Sequence, residues 1–127
     1  MKTITQQNET KHKAMASRIV ELSNGVLSTG KIKSGYIPLK IEYGPYSNAV
    51  CVHNNLVSFF IRSGDLLNRA KAEGFAPEPA PRTVPMDEHK ILFRNLGLSD
   101  IQAHEALFRE IVMESVRTIM DLRPKKK

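Results

Sequence analysis

The apolar positions change period along the chain. From Lys11 to Ser23 they recur at helical spacing, with Met15, Ile19 and Leu22 at i, i+4 and i+7 on one face. Thr10 is placed to cap this helix and Asn24-Gly25 to stop it. From Tyr36 to Tyr43 the period falls to two: Leu39, Ile41 and Tyr43 alternate with Pro38, Lys40 and Glu42, as in a half-buried strand. Pro38 suits an edge strand, because it has no N–H to give a ladder. Ala49–His53 reads as a second strand, with Val50 and Val52 on one side and Cys51 and His53 on the other. Asn54-Asn55 suits a tight hairpin, since Asn tolerates positive φ. Leu56–Arg62 is almost continuously apolar, as a covered strand would be. A helix through 55–73 competes, because short apolar runs fit both periods. Ser63-Gly64 interrupts that helix, Asp65 is then a natural N-cap for Leu66–Glu73, and Gly74 ends it.

Four of the seven prolines lie between Phe75 and Pro85, which predicts an extended, semi-rigid linker. Beyond it the helical period returns. Met86-Asp87-Glu88 opens a helix whose apolar side is Ile91, Leu92, Phe93 and Leu96, and Gly97 closes it. Ser99 with Gln102 forms a capping box for a final helix running to Leu122. The predicted fold is α+β: an N-terminal helix, a small three-stranded antiparallel sheet with a helix, a Pro-rich linker and a C-terminal helical hairpin. The corresponding division is a disordered 1–10, a small basic domain over 11–74, a linker over 75–85, a hairpin over 86–123 and a basic tail. A domain this small could not cover so apolar a last helix. A homodimer is therefore expected, with Leu107, Phe108, Ile111, Val112, Ser115, Val116 and Ile119 in its interface.

Charge sharpens the picture. The net charge is +6, and residues 1–74 hold ten Lys/Arg against five Asp/Glu. A basic segment attracts polyanions without any sequence readout. The expected phosphate contacts are Lys11, Lys13, Arg18, Lys31, Lys33, Arg62, Arg69 and Lys71. The single cysteine, the polar N-terminus and the lack of a long apolar run point to the cytoplasm and away from the membrane.

The motifs add little chemistry. Gly25–Lys31 matches seven positions of a phosphate-cradling P-loop, but Ile32 stands where a Ser or Thr would hold magnesium, so a flexible basic loop is the better reading. Cys51 and His53 share a strand face, yet a structural zinc wants four ligands, and a buried thiol beside a surface imidazole is expected instead. Leu96-Gly97-Leu98-Ser99 resembles the turn of a helix-turn-helix DNA-binding motif. Phe93 at the helix crossing, with Glu105 and Glu110 on the second helix, favours a plain helical hairpin. No catalytic constellation, metal site or cofactor is expected. The reading is a small non-enzymatic regulatory protein that binds nucleic acid, DNA first. The alternative is a protein-interaction module using the apolar hairpin.

Overall fold

A computed structural model describes residues 9–30, 36–41, 48–53, 55–81 and 89–122. The element order is α1 (Glu9–Leu22), β1 (Ser28–Thr29), β2 (Tyr36–Lys40), β3 (Asn48–His53), β4 (Leu56–Phe60), α2 (Gly64–Ala72), β5 (Glu78–Pro79), β6 (Lys90–Arg94), α3 (Leu98–Ala103) and α4 (Glu105–Leu122). The strands form one antiparallel sheet in the order β1-β2-β3-β4-β6-β5. The three-stranded sheet expected from the sequence is thus half of a six-stranded one.

The largest correction concerns residues 86–96. Where a helix was expected, Lys90–Arg94 is a strand paired with β4 from Leu56↔Arg94 to Phe60↔Lys90. Ile91, Leu92 and Phe93 are three successive apolar residues, a pattern that fits either period. The open edge of β4 decides it by supplying hydrogen-bond partners. There is consequently no helical hairpin and no helix-turn-helix: the element before Gly97 is a strand. The described part of the Pro-rich stretch, 75–81, packs onto the sheet, and 82–85 lie outside the described residues. Glu78 and Pro79 pair with Leu92 and Ile91, and the Ala80 N–H donates to the Lys90 carbonyl at 2.9 Å. Pro79 sits on an edge strand, where its missing N–H costs little. Phe75 turns inward and meets Phe93 and Phe108 edge-on, with ring centroids 6.0 and 5.2 Å away. One hydrophobic cluster includes residues from before and after this stretch.

The helix caps also differ from expectation. Ser63, not Asp65, caps α2, its hydroxyl accepting from the Leu66 N–H at 3.2 Å. The α3 cap is Gly97, whose N–H donates to the Asp100 carboxylate at 2.9 Å. The long final helix is broken at His104, which closes α3 before α4 begins. There the His104 ring lies edge-on to Phe75, centroids 4.9 Å apart, and its Nδ1 is 2.7 Å from the Glu73 carboxylate.

Register assigns each strand residue to a face, because directly opposed residues share one. Ile37, Val52, Val57 and Phe93 form one row, Leu39 and Val50 a second, Phe59 and Ile91 a third. Helices α1 and α4 pack on this face: Phe108 of α4 touches both Phe59 and Phe93. Phe59, Phe93, Phe108 and Ile111 are all 2% exposed or less. The seven residues assigned to a dimer interface, Leu107 to Ile119, are likewise buried within the single chain, at 3% exposure or less. The sheet is twice the size expected and covers this face of α4, which removes the reason for invoking a second copy.

Where β4 parts from β3, α4 supplies the missing acceptors. The Phe60 N–H donates to Ser115 Oγ at 3.1 Å. The N–H groups of Arg62 and Ser63 both donate to the Glu114 carboxylate, at 2.9 and 3.1 Å. Glu114 is 7% exposed, and its other oxygen accepts from Arg117 at 3.3 Å. A buried carboxylate is tolerated here because it is fully hydrogen-bonded.

Candidate functional site

The sheet's second face bears a different set of residues. Tyr36, His53, Leu56 and Arg94 stand opposite one another across β2, β3, β4 and β6. Pro38, Cys51, Ser58 and Leu92 form the next row, and Phe60 pairs with Lys90. The aromatic and cationic groups here alternate in sequence with the core residues of the other face. The Tyr36 and His53 rings are neighbours, with centroids 5.3 Å apart and planes tilted by 33°. Both are half-buried, so each is positioned by the sheet while still reaching solvent. Arg94 closes the row and pairs with Glu78 at 3.1 Å.

Cys51 shows what this face does to a thiol. Burial pushes its pKa up, while the nearby Lys90 charge and a hydrogen bond with Ser58 act in the opposite direction. The net result is a thiol held protonated, a poor metal ligand and a poor nucleophile. Among the described residues no group of three or more His, Cys, Asp or Glu is arranged to hold a metal.

At the end of the sheet, beside His53, lies a polar pocket of about 190 Å³ lined by Lys11, His12, Met15, His53, Asn55, Asn95, Leu96 and Gly97. Three separate segments meet there: the first turns of α1, the β3–β4 turn and the turn after β6. The two turns are bound to each other, since the Asn95 N–H donates to the Asn55 carbonyl at 2.6 Å. Both asparagines take left-handed backbone, with φ of 69° at Asn55 and 58° at Asn95. Asn is one of the few non-glycine residues that adopts this region readily. His12 is 4% exposed and Lys11 is exposed.

Three of the predicted phosphate contacts are engaged in ion pairs within the chain. Arg18 pairs with Glu21 at 3.1 Å and also with Glu105. Arg62 pairs with Asp121 at 2.7 Å and donates to Thr118 Oγ1 at 3.2 Å. Arg69 pairs with Glu110, and with Glu73 at 3.4 Å. These three cations have internal partners on α1, on α4 and, at Glu73, just after α2. Lys11 and Lys13 are exposed on α1, and Lys71 is exposed on α2. Lys31 and Lys33, with the end of the P-loop-like string, lie outside the described residues. So do the expected tail at 124–127 and most of the disordered start.

Lys11 was visible from charge alone. His12, His53, Asn55 and Asn95 were not, because the fold brings them together from positions up to 83 residues apart in the numbering, 12 to 95. The available signals were the Asn54-Asn55 and Asn95-Leu96-Gly97 turn strings, which mark where strands end without saying that those ends meet. Among the described residues no helix is long and apolar enough to cross a membrane. No family model, curated protein or solved structure matches this chain.

Proposed function

We propose that the protein is a cytoplasmic, non-enzymatic nucleic-acid-binding protein that engages its ligand at the Tyr36–His53 end of the sheet. The observation that supports this reading is the neighbouring Tyr36–His53 pair on a face that also bears Lys90, Arg94 and Lys40, with Lys11 close by around the end pocket. Rings held by a sheet offer bases a stacking platform, and flanking cations follow the phosphates. A single strand suits this arrangement better than a duplex, whose bases are already stacked. The expected homodimer is not part of the reading, because its interface residues belong to the core.

Fluorescence anisotropy with a labelled single strand and a mixed-sequence duplex, across a salt series, tests it. Binding should favour the single strand and weaken steeply with salt, as counterion release requires. Tyr36→Ala should cost roughly 1–3 kcal/mol of single-strand binding, the range for losing one stacked base. Failure of both ligands to bind at low salt would sink the reading.

A further inference from the structure

The geometry points to the pocket at the sheet end as a binding site for a phosphate monoester. Its described lining holds one lysine, two histidines and two asparagines and no carboxylate. In a chain with thirteen Asp and Glu, a concave site that joins a lysine to four side chains able to donate, with no carboxylate among its described lining, favours an anion. Size narrows the ligand. The pocket offers about 190 Å³. That admits a phosphate group and falls short of the ~300 Å³ at which pockets for whole small molecules begin. The group that enters is therefore a headgroup, with whatever it is esterified to left outside.

The lining is also preorganised. His12 is 4% exposed and fixed on a helix; Asn55 and Asn95 are joined by a backbone hydrogen bond and both held at positive φ. Non-glycine residues kept in that region by their surroundings concentrate at binding sites. Lys11 supplies a full positive charge at the rim, the point-charge mode of phosphate recognition. The inference stands on the pocket alone and survives failure of the nucleic-acid reading.

The test is an NMR titration of the full chain with inorganic phosphate, with sodium chloride added to a matched reference at equal ionic strength. The expected result is saturable movement of the His12 and His53 imidazole signals and the Asn55, Asn95 and Gly97 amides, absent in chloride. Lys11→Gln should weaken the apparent affinity about 10- to 100-fold, the loss expected for one charge-assisted contact. Asn95→Gly keeps the left-handed backbone while removing the amide, and should weaken binding several-fold. Two further ligands separate the sources of the phosphate. A 5′-phosphorylated oligonucleotide that outbinds both its 5′-hydroxyl twin and a free mononucleotide assigns the site to a nucleic-acid end. A mononucleotide that binds as well as the phosphorylated oligonucleotide assigns it to a small phosphate ester. No saturable shift, the same shift in chloride, or affinity unchanged in both variants overturns the proposal.

Discussion

The two faces of the sheet are built from alternate residues of the same strands and have opposite characters. One face, with Ile37, Leu39, Val50, Val52, Val57, Phe59, Ile91 and Phe93, is wholly apolar and lies under α1 and α4. The other mixes Tyr, Pro, His, Cys, Ser, Lys and Arg among fewer large apolar groups. The first face supplies stability; on the second the middle, with Pro38, Ser58, Phe60 and Leu92, is also buried, and the row Tyr36, His53, Leu56 and Arg94 reaches solvent. The period of two separates the two sets, and position along the strands decides which of the second set are free to vary.

The sharpest way to break the comparison is to put a charge on the covered face. Ile111→Asp places an unpaired carboxylate at a position with 0% exposure and should leave the chain unfolded, seen as loss of near-ultraviolet dichroism. An oligomer that merely dissociates, with its fold intact, would restore the dimer interface in place of the core. Phe108→Ala opens a cavity among Phe59, Phe75 and Phe93 and should cost about 3–5 kcal/mol in urea denaturation. Glu114→Ala should cost about 2–4 kcal/mol by the same measurement, because the Arg62 and Ser63 amides lose a charged acceptor together. On the second face Tyr36→Ala should change stability by no more than ~1 kcal/mol, as half-exposed positions do, while altering ligand binding. A large loss of stability there would mean that both faces serve the core.

The smallest effect concerns pH. The Glu73 carboxyl is held below its ordinary value of 4.5, chiefly by its hydrogen bond with His104, with Arg69 adding to it and partial burial opposing. Its stabilising contribution is complete above the ordinary carboxyl pKa and disappears as pH falls through the lower folded value. The melting temperature should therefore decline on acidification below pH 4.5, and Glu73→Gln should flatten that part of the profile. An identical acid profile in Glu73→Gln would show that other carboxylates account for the decline.

Much of the first half of the fold could be read from pattern alone. Strands β2 and β3 lie where alternation put them and β4 where a short apolar run did, with breaks between and after them at Gly44-Pro45, Asn54-Asn55 and Ser63-Gly64. Strand β6 could not be read, since Ile91-Leu92-Phe93 has no period of its own and acquires one only against β4. The break at His104 was equally hidden, because it answers to Glu73 and Phe75, about thirty residues earlier. The candidate site follows the same rule. Charge exposed Lys11, while the rest of the pocket is made by strand ends that meet only in three dimensions. Charge also misled: Arg18, Arg62 and Arg69 count towards a basic segment on paper and spend their charge on acids of the same chain.

The bonds between α4 and the end of β4 also bear on the order of folding. Phe60, Arg62 and Ser63 find their acceptors at Ser115 and Glu114, more than fifty residues later, and β4 finds its second neighbour only at Lys90–Arg94. During synthesis β2, β3 and β4 emerge with the outer edge of β4 unpaired and their apolar face covered by α1 alone. The edge waits for β6, and the rest of the face for α4. Loop closure over such distances is slow relative to helix formation. Docking of α4 therefore comes last, and truncation before Glu114 would leave the Arg62 and Ser63 amides without their acceptor and part of the apolar face bare.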